Sequence, residues 1–316
     1  FDRFVPLLAR ASLTPQTGLE FTKLLIDAGI PKGVFNFVTG GGSTVGEAFT
    51  VHPKIKAISF TGSTGVGIRI NEKAAKNLAR TQLELGGKNP LIVLDDADID
   101  LAAQAAVTGA FACAGQCCTS TSRLLVTEQV ADAVVAKVVA AAKAMKIGPG
   151  TEDSTTMGPV CGEEQVRTIT EYIEIGKQEG ATLLTGGGRP AGFENGCFIE
   201  PTVFDHVKPS MRIAREEIFG PVLSVIRVKD FEEAMQVAND VQFGLSSSIF
   251  TNDMSKTFEF LEKTDVGLTH VNMITAYKEP QLTFGGVKES GFGVPEAGST
   301  GIEFFTEHKV AYVKYR

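Results

Sequence analysis

Two short stretches hold residue types that can do covalent chemistry together. Phe111 to Arg123 reads FACAGQCCTSTSR and offers cysteine in a short polar loop. Upstream, Glu84-Leu85-Gly86-Gly87-Lys88 offers a carboxylate beside two glycines, where the chain can pass close to something flat. A thiol nucleophile plus a carboxylate base can make a thioester and then hydrolyse it. Cysteine by itself does not decide this, because buried cysteine is common and usually inert. Against inertness, the loop is flanked by Gly115-Gln116 and Thr119-Ser120 rather than by core residues, and a nearby helix end can lower a thiol pKa. Clustered Cys113, Cys117 and Cys118 also suit a structural zinc, but no second ligand pair stands at suitable spacing. The histidines His52, His206, His270 and His308 show no local pairing with the loop, which weakens a cysteine–histidine hydrolase. Glu84 alone also reads as a surface carboxylate at a strand end.

The elements that must position these residues alternate as helix, strand, glycine turn, helix, strand, the rhythm of a doubly wound α/β sheet. Thr14-Pro15 opens a helix that Gly29 ends. Strands are expected at Val34–Val38 and Ile55–Phe60, with a helix then running to Arg80. From Asn89 a second α/β unit begins. Its expected strands are Leu91–Leu94, Leu124–Val126, Leu223–Val228 and Ser247–Thr251; its expected helices are Ala102–Phe111, Glu128–Met145, Gln165–Gln178, Phe231–Asn239 and Lys256–Lys263. The acidic run Asp95-Asp96-Ala97-Asp98 reads as a solvated helix start. The strand–turn–helix joint at Phe60 to Gly67 is the natural phosphate site, since free amides at a helix start favour an anion. Taken alone that joint is weak, because such turns are usually only turns and the G-x-G-x-x-G spacing is absent. Gly40 to Gly46 lacks the Gly-Lys-Ser/Thr of a P-loop. Thr306 to Arg316 reads as an alternating strand with no obvious partner, which is a liability or else an interface.

The chain has 316 residues, enough for two domains, with 43% hydrophobic and 21% charged residues, an ordinary soluble composition. A net charge of −7 without a basic tract argues against nucleic acid, and no apolar run reaches membrane-spanning length. The opening FDRFVPLLAR does not read as a signal peptide. Five cysteines, an odd count with three in one loop, point to a reducing, cytoplasmic setting.

Glu-Leu-Gly-Gly-Lys followed by Gly-Gln-x-Cys resembles the aldehyde dehydrogenase superfamily, and the likeness extends from about Ala11 to the C-terminus. Further motifs in the same order support it: Phe60-Thr61-Gly62-Ser63-Thr64-x-x-Gly67, Glu216-Glu217-Ile218-Phe219-Gly220-Pro221, Val271-Asn272, and Phe284-Gly285-Gly286-Val287-Lys288-x-Ser290-Gly291. The resemblance implies two doubly wound α/β domains: a dinucleotide-binding domain over 1–86, incomplete at its N-terminus, a catalytic domain over 87–300, and an oligomerisation strand over 301–316 that builds homo-dimers or homo-tetramers. It implies Cys118, two residues after Gly-Gln, as nucleophile and Glu84 as the base that activates water. It implies NAD or NADP as cofactor, held by Gly62, Ser63, Leu85, Glu217 on a ribose, Phe219 beside the nicotinamide, and Ser12. The reaction implied is oxidation of a small aldehyde to an acid through a thiohemiacetal and a thioester. The cysteine loop and C-terminal third most resemble semialdehyde dehydrogenases of sugar-acid breakdown, such as those for 2-oxoglutarate semialdehyde.

The chain also departs from the family pattern. The family's second oxyanion donor, an asparagine side chain, falls N-terminal to these residues. The ribose-binding lysine aligns with Ala9. A frequent glutamate aligns with Ser12, which removes repulsion of a 2′-phosphate and opens the site to NADP. An inactive remnant and a cofactor-independent thiol esterase using Cys118 and Glu84 are therefore the rival readings.

Overall fold

The computed structural model describes residues 7–9 and 14–316. A seven-stranded sheet forms its centre. From one edge to the other the strands are Leu268–Val271, Ser246–Phe250, Asn89–Val93, Thr121–Thr127, Val222–Val228, Thr202–Asp205 and Thr182–Thr185. All neighbours run parallel except the last pair. Parallel central strands are covered on both faces, and the sequence supplies near-continuous apolar runs for that purpose. Leu91-Ile92-Val93 and Leu124-Leu125-Val126 are wholly buried. The helix Ile99–Phe111 packs on the helix Glu128–Ala144 and against the sheet. Asp98 caps the first of these, its carboxylate accepting from the Leu101 N–H at 3.0 Å, so the acidic run is a helix start as expected.

A second, three-stranded sheet stands beside the first. Ala57–Thr61 runs parallel to Arg80–Glu84, and Gly291–Phe292 pairs antiparallel with the other edge of Arg80–Glu84. Leu7–Ala9 pairs parallel with Asn36–Val38. The mixed α/β architecture agrees with the pattern of alternating elements in the sequence.

The details differ in four places. The helix expected to reach Arg80 ends earlier: Thr64–Ala74 tightens into a short turn over Ala75–Asn77, and Leu78 takes a left-handed φ of 54°. That reversal lets Arg80–Glu84 form a strand, a short polar-apolar run that carried no turn residue to announce it. Thr182–Thr185, Thr202–Asp205 and Leu268–Val271 are strands that the periodicity did not reveal. Gly298–Phe304 is a helix within the expected C-terminal strand region. Beyond it, 306–316 make no strand pairing among the described residues, and Val310, Tyr312, Val313 and Tyr315 stay exposed.

Candidate active site

The cysteine loop lies at the amino end of a central strand, not the carboxyl end where ligands usually sit on open α/β sheets. The helix Ile99–Phe111 leads into it. Cys113 and Ala114 then adopt left-handed φ values of 54° and 53°, and Gly115 follows at 69°. Two non-glycine residues in that region store backbone strain. Gly115 is obligatory for a second reason: a Cβ there would stand 2.2 Å from the carbonyl oxygen of Gly220. Gln116 pins the turn, its Oε1 accepting from the Cys161 N–H at 2.7 Å and its Nε2 donating to the Cys113 carbonyl.

Two side chains outside the loop hold its far half, and Arg123 at its end ties it to the surrounding backbone. Asn89 Nδ2 donates to the carbonyls of Cys118 (2.7 Å) and Ser120 (2.9 Å), while its Oδ1 accepts from the Ser246 N–H. Thr275 Oγ1 donates to the Thr119 carbonyl at 2.7 Å and meets Thr121 Oγ1 at 2.8 Å. Arg123, fully buried, donates to the carbonyls of Lys88, Val237 and Ala238. The register shifts between Asn89 and Pro90, where the strand begins. The N–H of Cys118 donates to no group among the described residues.

Glu84 approaches from the other sheet. It ends the strand Arg80–Glu84, and the chain then crosses to the large sheet through Leu85-Gly86-Gly87. Both glycines are close approaches. A Cβ on Gly87 would lie 2.4 Å from the Cys118 carbonyl oxygen, and one on Gly86 would lie 2.4 Å from Glu217 Oε2. Leu85 is buried, its N–H donating to the Ser290 carbonyl. Glu84 itself is 4% exposed, and its Oε2 has no hydrogen-bond partner among the described residues. A Cβ on Gly285 would stand 3.2 Å from its other oxygen, so the Phe284-Gly285 turn closes over the carboxylate. Burial pushes Glu84 up from the ordinary 4.5 to about 8, and the Glu296 carboxylate adds to the rise.

The two thiols of Cys117 and Cys118 form a coupled pair. Their mutual hydrogen bond stabilises the first negative charge, and Thr119 and the Lys278 cation help; burial opposes. That charge falls on Cys117, drawn down to about 5, and the remaining proton on Cys118 is held far above the usual thiol range by the same hydrogen bond and by burial. Either sulfur can carry the single charge as the shared proton moves. Cys113 is exposed and outside this pair.

The third motif faces the same loop. Glu217 Oε1 accepts from the Gly87 N–H at 2.9 Å. Burial raises its pKa, opposed by that N–H and by the Lys88 cation. Phe219 sits at a left-handed φ of 55°, its turn fixed by Gln165 Nε2, which donates to the carbonyls of Ile218 and Phe219. A narrow cleft lies between the elements, lined by Gly87, Gly115, Cys117, Glu217 and Phe219 among others. A larger open hollow of about 540 Å³ beside Arg80, Phe304 and His308 contains none of these side chains. Lys88 is buried, its Nζ without a hydrogen-bond partner among the described residues, and burial draws it down to about 7.

Gly62 and Ser63 stand at the start of the helix Thr64–Ala74, where no side chain caps the first turn. The Ser63 carbonyl accepts from Val66 and Gly67, and the Thr64 and Gly65 amides have no partner among the described residues and can meet an anion. A Cβ on Gly67 would stand 2.7 Å from a Leu85 methyl, so the helix lies directly on the linker to Gly86. Ser12 lies outside the described residues. Asn272, at a left-handed φ of 55°, turns its amide onto the backbone of Thr251 and holds the end of its strand. Asn89, Thr275, Glu296 and Lys278 were not singled out from the sequence. Only Asn89 gave a signal, as a polar residue opening an otherwise apolar strand.

The sequence pattern of the aldehyde dehydrogenase family matches residues 7–311. The chain is 44% identical over 306 residues to an alpha-ketoglutaric semialdehyde dehydrogenase of Bacillus subtilis, covering 96% of this chain and 63% of that protein. It is 44% identical over 312 residues to an alpha-ketoglutarate semialdehyde dehydrogenase of Haloferax volcanii, covering 98% and 64%. Among solved structures, a betaine aldehyde dehydrogenase of Staphylococcus aureus in complex with NAD+ superposes with a TM-score of 0.92 at 37% identity, over 95% of this chain and 60% of that one. An NAD-dependent aldehyde dehydrogenase of Sinorhizobium meliloti gives 0.93 at 37%, over 96% and 60%. The chain thus spans 63% and 64% of the length of the two curated relatives.

Proposed function

This chain belongs to the aldehyde dehydrogenase family, and we propose that it oxidises an aldehyde to a carboxylic acid with NAD or NADP through a thioester on Cys118. The observation that carries the reading is the contact across Gly87. That glycine brings the segment that follows the strand end of Glu84 against the backbone of Cys118, so the stretch carrying the carboxylate and the loop carrying the nucleophile are in contact.

The chemistry follows from these groups. The Cys118 thiolate adds to the aldehyde carbon, forming a C–S bond and placing the carbonyl electron pair on oxygen. The free Cys118 N–H is positioned to donate to that oxyanion. A bound nicotinamide supplies the acceptor for the hydride that leaves this carbon. Glu84 then takes a proton from water, the water oxygen adds to the thioester carbon, the C–S bond breaks, and the acid departs. A base near 8 is only partly ionised at neutral pH but is correspondingly strong.

The described residues fit the cofactor in two places. The uncapped helix start at Ser63 suits a diphosphate, and Glu217, tied to Gly87 but with Oε2 left over, suits a ribose hydroxyl. Leu85 and Phe219 would flank the nicotinamide half. The names of the two curated relatives support a semialdehyde as substrate. The exposed apolar side chains of 310–315 support pairing with a neighbouring subunit in a homo-dimer or homo-tetramer. No helix among the described residues is long and apolar enough to cross a membrane, and all five cysteines are unpaired, in keeping with a cytoplasmic setting.

The test is reduced-nicotinamide formation with NAD and NADP separately, over a panel of aldehydes, with Cys118→Ala as control. Turnover that vanishes in the variant supports the reading. Ester hydrolysis without nicotinamide, also lost in Cys118→Ala, would instead favour a thiol esterase.

A further inference from the structure

The loop between Asn272 and Phe284 is tied to the cysteine loop at one end and to the carboxylate at the other. Thr275 bonds to the carbonyl beside Cys118, and the Ser246 hydroxyl in turn donates to the Thr275 carbonyl at 2.7 Å. His270 Nε2 donates to the Tyr277 carbonyl at 2.9 Å. At the far end, Phe284 is buried, and Gly285 after it touches Glu84. Lys278 sits between these anchors, its Nζ 5.3 Å from the centre of the Phe284 ring. The aromatic face holds the ammonium over the site through a cation–π contact while its three N–H groups stay available.

Lys278 is exposed, and it makes no ion pair or hydrogen bond among the described residues. The nearest acid in sequence, Glu279, is engaged by the Tyr277 hydroxyl and by Gln281. The charge of Lys278 nevertheless reaches the centre: it favours the ionised forms of Cys117, Cys118 and Glu296. A cation held on Phe284, beside the turn next to Glu84, with no partner among the described residues and with a charge that reaches the cysteine pair, can attract an anionic reagent.

We propose that Lys278 receives the far carboxylate of an ω-carboxylated aldehyde and so determines which aldehydes Cys118 accepts. The inference rests on the dehydrogenase reading for its substrate, but its geometry can be tested without turnover. Iodoacetate and iodoacetamide alkylate the same thiolate and differ in charge. A change in thiol pKa scales both rates alike, so their ratio at Cys118, read by peptide mass spectrometry, isolates attraction of the anion. Lys278→Gln is expected to lower the iodoacetate-to-iodoacetamide ratio about fivefold, in line with one solvent-facing ion pair, and Lys278→Arg to retain it. An unchanged ratio in Lys278→Gln overturns the proposal.

Steady-state rates with NAD give the second arm. With succinate semialdehyde as the carboxylated probe and butanal as the neutral one, Lys278→Gln should raise KM for the former about fivefold more than for butanal, whatever the loss of the lysine charge does to the thiol for both. Equal losses on both would mean that Lys278 serves the thiol and not the substrate, and would also overturn it. No turnover with any aldehyde would count against the dehydrogenase reading, while the alkylation ratio still decides the role of Lys278.

Discussion

The burial that raises the Glu84 carboxyl also sets a cost on folding, and Glu84→Gln exposes it. The folded carboxyl titrates near 8, against an ordinary 4.5. Between those values the folded chain keeps a proton that the unfolded chain has released, so stability falls as pH rises. The contribution of neutral Glu84 is whole below about 4.5 and lost as pH passes through about 8. Glutamine matches the neutral carboxyl in size and cannot ionise. The variant should therefore melt close to the wild type at about pH 5 and above it at about pH 9. At about 1.4 kcal/mol per decade of acidity constant, the ceiling of the effect is about 5 kcal/mol. The site opens on a solvent-reached cleft, whose screening reduces this to about 2–3 kcal/mol. In a chain of this size that is on the order of 5 °C in Tm. Thermal melts of both proteins across this pH range give the assay. A gap that stays constant, or one that closes as pH rises, refutes the account of Glu84 as a buried, destabilised carboxylate. The same variant should form the acyl-enzyme and fail to release it, seen as added mass on the Cys118 peptide after exposure to aldehyde and NAD.

Other perturbations act on the loop itself. Asn89→Ala leaves the carbonyls of Cys118 and Ser120 and the Ser246 N–H without their partner; it should cost about 2–4 kcal/mol in denaturant unfolding and slow alkylation of Cys118, and unchanged values of both would sink the role given to Asn89. Cys117→Ala removes the neighbouring thiolate that holds the proton on Cys118, so the pH midpoint of Cys118 alkylation should fall by about one pH unit or more; a profile identical to wild type would mean the two thiols do not interact. Gly87→Ala drives a methyl into the Cys118 carbonyl; we expect a loss of about 1–3 kcal/mol in stability together with weakened NAD binding in a fluorescence titration, and normal binding would show that the cleft tolerates the shift.

The sequence disclosed the fold through local chemistry. Apolar runs such as Leu91–Val93 and Leu124–Val126 marked buried strands, and Asp98 marked a helix start that the structure caps as expected. Short or mixed strands such as Arg80–Glu84 and Thr182–Thr185 were hidden because their register is set by pairing with other strands and not by a periodicity of their own. The site was legible in the same uneven way. Glu84, Gly87 and the cysteine loop stood out as motifs. Asn89, Thr275, Glu296 and Lys278 did not, since each acts across tens or hundreds of residues and none has a local spacing that declares it.

The strand ending in Glu84 is flanked by Ala57–Thr61 on one side and by Gly291–Phe292 on the other. These neighbours leave a ribosome at very different times. The first is made before Glu84. The second follows about two hundred residues later, with the whole large sheet translated in between, and closing so long a segment is slow. A nascent chain can therefore assemble its main core and its thiol loop while the edge of the Glu84 strand still lies open. In that interval the strand that ends in Glu84 lacks its Gly291–Phe292 neighbour. The surroundings of Glu84 are therefore completed only by a segment near the end of this chain.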